Sequence, residues 1–359
     1  MRKYQAILDT LSAQIAAGRY DSVKRFPSEM ELASRFKVSR PTAGRAIREL
    51  QQRGILERRA GSGTYLRRAH PPSPTREFGL LVPGLGNTEI LDPICNEITR
   101  SAQAQQTNVL FGNGAAGDTS PDRAIALAQL YIDRKVAGVF FAPLEAVPDR
   151  QEINLRIVDQ LSAAGIAVVL LDRDVLDFPR RSGFDLVGID NFQAGYVLAD
   201  HLASVGHRRF AFVARPGHPS TTDLRIAGCR DALAHHDLLL ARDAVHFGDP
   251  ADAEFARSIV DRNYDVAVCA NDRTAAMMIQ TLSSLGVRLP DDVAVVGFDD
   301  VRYATLLSVP LTTMRQPCEQ IGQTAWRIMT DRLSSPTLPA RQVLLTAELV
   351  IRQSSGRGA

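Results

Sequence analysis

From Glu77 onward, short apolar runs rich in β-branched and aromatic residues alternate with stretches whose apolar positions recur every three or four residues. The runs predict strands at Phe78–Val82, Asn108–Phe111, Ala137–Ala142, Ile166–Asp172, Leu186–Ile189, Arg209–Ala214, Ala244–Phe247, Val266–Ala270 and Val293–Phe298. The stretches predict helices near 92–106, 121–134, 151–164, 191–205, 223–235, 252–262 and 271–285. Continuous apolar strands separated by helices imply parallel sheets covered on both faces. Nine such strands exceed one comfortable sheet, so two α/β lobes are expected.

The first 68 residues carry another pattern. Ile7, Leu8, Leu11 and Ile15 predict a helix over 3–17 that ends near Gly18. Ser28 and Glu31 form a capping-box pair that opens a short second helix, with Leu32, Ala33 and Phe36 as its buried face. After a tight turn at Lys37-Val38, Ser39 caps a third helix from Arg40 to about Arg53, closed by Gly54. Its inward face is Ala43, Ala46, Ile47 and Leu50. Pro41, Arg45, Arg48 and Gln52 face outward, with Gly44 beside them. Residues 55–66 then read as two short strands around a glycine-containing turn with arginines at its base. Two helices joined by a tight turn and followed by such a wing predict a winged helix-turn-helix. Ala69-His70-Pro71-Pro72-Ser73-Pro74-Thr75 is a proline-rich linker. The expected domains are therefore 1–68, a linker at 69–76, and 77–359.

Charge divides along the same boundary. Residues 1–68 hold 15 Lys and Arg against 6 Asp and Glu, and the remainder holds 27 against 34. Basic charge confined to a helix-turn-helix points to double-stranded DNA as partner. The acidic remainder suits a different task. Its strand ends carry Asp172-Arg173-Asp174, Asp190-Asn191, Asn271-Asp272 and Asp299-Asp300. Ligands of parallel α/β sheets bind beyond the carboxyl ends of the strands, and this rim suits a hydroxyl-rich molecule. Asp299 and Asp272 are the ligand candidates that no simple capping pattern explains. Asn191 reads as a helix cap or as a ligand contact, and Asp190 as a backbone-orienting group.

Other function classes find less support. Cys95, Cys229, Cys269 and Cys318 fit neither a zinc spacing nor a secreted disulfide framework. No apolar run is long enough to span a bilayer, and the N-terminus has no signal-peptide core, so a cytoplasmic location is expected. Gly112-Asn113-Gly114-Ala115-Ala116-Gly117 is a literal G-x-G-x-x-G, and with Asp133 it is the one support for a sugar-processing or NAD-dependent enzyme. Ser120-Pro121 places the following helix start beyond the glycines, so the dinucleotide fingerprint is incomplete. No cofactor, no metal and no catalytic residue is expected.

The N-terminal module resembles the GntR-type winged helix. The resemblance runs through Pro27-Ser28-Glu29-Met30-Glu31-Leu32-Ala33, Val38-Ser39-Arg40-Pro41-Thr42, Arg45-Ala46-Ile47-Arg48-Glu49-Leu50, Gly54-Ile55-Leu56-Glu57-Arg58-Arg59 and Gly61-Ser62-Gly63-Thr64. It implies that Ser39, Arg40 and Thr42 grip phosphates or bases, and that a wing tip at Gly61, Ser62 and Gly63 enters the minor groove. Together with Arg45, Arg48, Arg58 and Thr64, these form the candidate DNA-binding set.

The remainder resembles the LacI/GalR-type effector domain, similar to periplasmic sugar-binding proteins. The matching stretches include Phe78-Gly79-Leu80-Leu81-Val82-Pro83, Gly165 through Arg173, Val187 through Asn191, Arg225-Ile226-Ala227-Gly228, Leu289 through Asp300 and Pro310 through Pro317. The resemblance implies a ligand between two lobes, contacted by Arg225 and Asp299, with Arg173 and Asn271 or Asp272 nearby. Glu89 stands where many members carry a stacking aromatic, which suits a sugar hydroxyl. The pairing of the two modules resembles the bacterial arabinose-repressor arrangement. It implies a homodimeric repressor on an inverted-repeat operator, responsive to a small-molecule effector that is expected to be a sugar.

Overall fold

The computed structural model describes residues 3–16, 20, 26–52, 55–59, 63–66, 76–83, 89–112 and 120–356. The expected helix stops at Gly18 and Gly54, the wing tip at Gly61 and Ser62, the linker at 69–75 and the glycine loop from Asn113 to Gly117 lie outside the described residues. The chain divides into two compact units, Met1–Thr75 and Arg76–Ala359.

The first unit holds helices α1 (Lys3–Ala16), α2 (Glu29–Phe36) and α3 (Arg40–Gln52), then strands β1 (Leu56–Arg59) and β2 (Gly63–Leu66), which pair antiparallel. The capping box forms as the sequence implies. The Glu31 backbone N–H donates to Ser28 Oγ (3.3 Å), and the Ser28 N–H donates to the Glu31 carboxylate (2.6 Å). Lys37 takes a left-handed conformation and closes α2. Ile7, Leu8, Leu11, Phe26, Leu32, Ala43, Ala46, Ile47, Leu50 and Leu56 form one buried core. It draws a stripe from each helix and one strand residue, which is how so short a unit closes around its apolar side chains.

The second unit has two lobes, each a six-stranded sheet. The first lobe takes β3 (Glu77–Leu81), α4 (Leu91–Ala104), β4 (Asn108–Phe111), α5 (Pro121–Asp133), β5 (Gly138–Phe141), α6 (Arg150–Ala163), β6 (Ala167–Leu171) and β7 (Asp185–Ile189). The chain then enters the second lobe through α7 (Asn191–Ser204), β8 (Phe210–Ala214), α8 (Ser220–His235), β9 (Val245–Phe247), α9 (Ala253–Asp261), β10 (Val266–Cys269), α10 (Asp272–Ser284), β11 (Ala294–Asp299) and β12 (Thr312–Arg315). It returns as α11 (Cys318–Ser334), which packs on α4 and the first sheet, and as β13 (Gln342–Leu345), then ends in the second sheet as β14 (Glu348–Val350).

The sheet orders are β13-β7-β6-β5-β3-β4 and β14-β12-β11-β10-β8-β9. Every pairing in these two sheets is parallel except β12 with β14. Parallel strands need helical crossovers, so helices cover both faces of each sheet and the strands bury on both sides. The chain therefore crosses between lobes at Asp190, at Gln316-Pro317 and at Thr346-Ala347. One apolar cluster runs through α4 and α11 of the first lobe and α7 and α8 of the second. Separate clusters fill the outer face of each sheet.

The expected strands and helices up to Phe298 are all present, with ends shifted by a few residues. Beyond it lie β12, α11, β13 and β14, for which no element was expected. The three strands are short, and β13 and β14 are edge strands with alternating or polar exposed positions, so no apolar run marks them. Helix α11 does carry a signal: Ile321, Ala325, Ile328 and Met329 recur at helical spacing and are buried. Trp326 packs edge-on against Phe78 at 4.9 Å.

Candidate functional site

Helix α3 presents the first candidate surface. Ser39, Arg40, Pro41, Arg45 and Arg48 are exposed and Thr42 is half-buried. Ser39 Oγ and Thr42 Oγ1 lie 2.8 Å apart at the start of the helix, so one hydroxyl donates a hydrogen bond to the other. Across the wing, Arg58 pairs with Thr64 and is exposed, and Gly63 takes φ +123°, a backbone open to glycine at little cost. Gly61 and Ser62 fall outside the described residues.

Gly44 departs from expectation. It is buried rather than beside the outward face, and a Cβ there would sit 3.1 Å from a carboxylate oxygen of Glu29. Glu29, on the first turn of α2, leans across the start of α3 and pairs with Arg40 (Nε to Oε2, 3.3 Å). A helix-wheel projection cannot show this, because the occluding group comes from the neighbouring helix.

The second candidate site lies where the carboxyl ends of the two sheets face one another. Arg225 is its anchor. Helices α7 and α8 approach so closely that a Cβ at Gly195 would fall 2.2 Å from the Arg225 carbonyl oxygen, and one at Gly228 2.0 Å from that of Phe192. This close approach sets Arg225 against the start of α7. Its Nε donates to Asn191 Oδ1 (2.8 Å) and its Nη1 to the Ala270 carbonyl (2.6 Å), while Nη2 lies 3.7 Å from Asp299 Oδ1. The guanidinium also sits over the Phe298 ring at 4.6 Å. Asp190 caps α7 by accepting from the Gln193 N–H (2.9 Å), which leaves Asn191 free for Arg225.

Asp299 ends β11 with φ +118°, and Asp300 follows at φ +52°. Two consecutive non-glycine residues in this region are held only by surrounding contacts. Asp300 is gripped by Arg315 (2.7 Å) and Arg352 (2.7 Å). Arg352 belongs to a C-terminal strap whose Ser354 and Ser355 are buried against Thr312 and His207. Gln316, on the second crossing, donates to Asp299 Oδ1 (2.7 Å). Burial pushes the Asp299 carboxyl up to about 7, against the opposing pull of Arg225 and of the Gln316 bond.

Asp272 requires a correction. It was expected at the ligand, but it is fully buried and both oxygens are committed: Oδ1 accepts from the Thr313 hydroxyl (2.6 Å) and Oδ2 from the Val301 N–H (3.0 Å). A Cβ at position 297 would fall 2.4 Å from its Oδ1, so only glycine lets the strand pass. Burial, and then the Asp299 carboxylate, push Asp272 well above the usual carboxylate range. It braces the turn that aims Asp299. Asn271 caps α10 through its Oδ1 to the Thr274 N–H (2.9 Å) and remains half-buried at the rim.

The first lobe supplies Asp172, Arg173, Glu145 and Glu89. Arg173 is buried and bonded to Asp172 Oδ2 (2.9 Å) and to Glu145. Burial alone would lower its affinity for a proton, but the two carboxylates hold it above its ordinary value. Among the described residues, two bonds span the cleft. The Tyr303 hydroxyl of the second lobe donates to Glu89 of the first (2.6 Å), and the Ala146 N–H donates to the Gly217 carbonyl (3.1 Å). Burial, and then the bond to Glu89, raise the Tyr303 hydroxyl. Among the described residues, Asp172 Oδ1 and Gln316 Oε1 are buried acceptors without a hydrogen-bond partner. Asp172, Gln316, Tyr303 and Glu145 were absent from the expected site set. Asp172 was visible as one of the strand-end acids, whereas Tyr303, Glu145 and Gln316 sit in loops that no periodicity singles out.

A gntR family model of bacterial regulatory proteins matches residues 3–66, and a periplasmic binding protein-like domain model matches residues 199–355. The chain is 27% identical to the arabinose metabolism transcriptional repressor of Geobacillus stearothermophilus, over 98% of this chain and 97% of that one. It is 30% identical to the HTH-type transcriptional repressor PurR of Photobacterium profundum, over 57% of this chain and 68% of that protein. The solved structure of a transcriptional regulator CelR–cellobiose complex aligns with a TM-score of 0.67 at 22% identity, covering 92% of this chain and all of that one. These relatives are regulators, not enzymes. Consistent with an incomplete dinucleotide fingerprint, α5 begins at Pro121, past the glycines.

Proposed function

We propose, for a chain that belongs to the HTH-type bacterial transcription regulators and joins a gntR-family DNA-binding domain to a periplasmic binding protein-like domain, that it is a repressor whose operator affinity changes when a small sugar or related polyol binds between the two lobes. The observation that carries the ligand half of this reading is the pair of buried acceptors without partners, Asp172 Oδ1 from the first lobe and Gln316 Oε1 from a lobe crossing. An unmatched buried acceptor costs roughly 1–3 kcal/mol, and a ligand hydroxyl would recover that. Glu89, Arg173, Arg225, Asn271 and Asp299 complete the proposed ligand set. Asp272 acts from behind it.

A ligand that bonds to both lobes favours the closed arrangement over an open one, and only that difference can be transmitted to DNA. On the DNA side the proposed contacts are Ser39, Arg40, Thr42, Arg45, Arg48 and Arg58, with Gly61, Ser62, Gly63 and Thr64 of the wing. Domains of 1–68 and 77–359 with a linker at 69–76, a homodimer on an inverted repeat and a cytoplasmic location belong to the same reading. Among the described residues no helix is long and apolar enough to cross a membrane.

The test is DNA-binding titration against the chain's own upstream region, with and without L-arabinose, D-xylose, D-ribose and cellobiose. At least one sugar is expected to change the affinity. If DNA binds but no sugar alters it or raises the melting temperature, the ligand half of the proposal fails.

A further inference from the structure

The cleft is charged in a way that selects among polyhydroxyl ligands. Four carboxylates meet there: Glu89, Glu145, Asp172 and Asp299. Asp299 feels Asp172 and Glu89 directly, which places all three in one field. Two guanidiniums oppose them, and both are committed to protein partners. Arg173 is held by Asp172 and Glu145, and Arg225 by Asn191, Ala270 and Asp299. His218, adjacent to the Gly217 bridge, is paired with Asp223 (3.1 Å). Behind the cleft, Asp300 adds a carboxylate, and the cations there, Arg315 and Arg352, are spent on it. Asp172 Oδ1 and Gln316 Oε1, left without partners, are both acceptors.

A phosphate or carboxylate needs donors and positive charge, as a helix N-terminus or an uncommitted Arg supplies. Both buried guanidiniums here are already committed to protein acceptors, and the first turn of α11 begins beside the carboxylates of Asp299 and Asp172. The cleft would press such a group against carboxylates, among them the buried Asp172 and Asp299, where like charges repel strongly. Hydroxyl groups meet the opposite condition, because each can donate to Asp172 Oδ1, Gln316 Oε1 or Asp299. We infer that the cleft takes a polyhydroxyl ligand bearing neither phosphate nor carboxylate, and that its excess of carboxylates is what excludes sugar phosphates and sugar acids. The inference deepens the ligand half of the proposed function and rests on it.

Matched ligands test it on the full-length chain: D-ribose with D-ribose 5-phosphate, L-arabinose with L-arabinonic acid, and D-xylose with D-xylonic acid. Binding is read by calorimetry and thermal shift at pH 8, above the value of about 7 to which burial raises Asp299. A neutral member is expected to bind, and its anionic counterpart to bind at least about tenfold more weakly. The Glu89→Gln variant, whose side chain is exposed and so tolerates change, is expected to narrow that gap. Equal or tighter binding of an anionic member overturns the charge selection while leaving a polyhydroxyl site intact. An unchanged gap in both Glu89→Gln and Asp172→Asn overturns the assigned cause. Failure of every member, neutral or anionic, overturns the polyhydroxyl reading itself and this inference with it.

Discussion

The start of α3 and the interlobe cleft are both dense in charge, yet they are built on opposite terms. Arg40, Arg45 and Arg48 stand exposed on one helix of a unit whose core lies on the other side. The cleft charges are buried and tied to distant parts of the chain, as Arg225 is to Asn191 and Ala270, and Asp272 to Thr313. A surface charge is solvated before and after it meets a partner, so removing it costs binding and little else. A buried charge removed alone leaves its partner uncompensated, so stability and binding change together. Each prediction below tests that contrast.

The largest effect is expected at Arg225→Ala. The change leaves Asp299 buried without its cation, and Asn191 and the Ala270 carbonyl without a donor. Such losses cost about 3–5 kcal/mol. Denaturant melts should show the second unit's transition falling by that amount. A cost under about 1 kcal/mol, within the range of exposed pairs, would break the contrast, because the cleft would then behave as a surface does.

The next concerns pH. Asp299 binds its proton more tightly folded, up to about 7, than a carboxyl in an unfolded chain near 4. Between those values the folded state holds the extra proton, so stability is full at the acid end and is lost as pH rises toward 7. One proton corresponds to at most about 1.4 kcal/mol per pH unit. Asp299→Asn should flatten that decline in melts taken from pH 4 to 8. Asp272, raised in the same direction, leaves a residual slope. An unchanged slope would mean that Asp299 ionises freely.

What the sequence showed divides along the same line. The outward face of α3 could be read because a helix face is a local property: Ala43, Ala46, Ile47 and Leu50 point in, so Arg45 and Arg48 point out. Gly44 escaped because its occluding partner, Glu29, belongs to another helix. In the cleft, strand ends located Asp172, Arg173 and Asp299, but not which of them faces a ligand. Asp272 looked like a ligand because its burial is decided by Thr313 and Gly297, well downstream in the chain. Asn191 read as either a cap or a ligand contact, whereas Asp190 takes the cap and Asn191 holds Arg225. Pairings across such separations have no periodicity to betray them.

A smaller effect is expected from Arg352→Ala, which opens the strap without touching the cleft. Hydrogen bonds to charged groups contribute about 1.5–3 kcal/mol each. Asp300 keeps Arg315, so the lower end applies. Because Asp299 and Asp300 hold positive φ only under restraint, ligand affinity should fall while Arg352→Lys restores part of it. A variant with reduced stability and unchanged ligand affinity would confine the strap to folding alone.

On the DNA side, Arg45→Ala should leave thermal stability within about 0.5 kcal/mol, as exposed positions do. If Arg45 reads a base, operator affinity falls by about 1–3 kcal/mol and sequence preference relaxes at that position. A uniform loss across sequences, with a shallower salt dependence, would move Arg45 to the phosphates instead.

The smallest stability change is expected at Glu29→Gln. Its pair with Arg40 is exposed on both sides, 36% and 70%, and such pairs contribute about 0–1 kcal/mol. Its effect on DNA is expected to be opposite in sign. The Glu29 carboxylate lies against the start of α3, where a phosphate would approach, and it occupies the Arg40 guanidinium. Neutralising it frees Arg40 and removes a repulsion, so affinity for any duplex should rise, more at low salt than at high. Selectivity should fall with it, since the gain is shared by every sequence. If Glu29→Gln instead weakens operator binding and destabilises the first unit by several kcal/mol, then this surface pair is as integral to its fold as Arg225 is to the cleft. The two regions would then differ in exposure only, not in how their charges are built in.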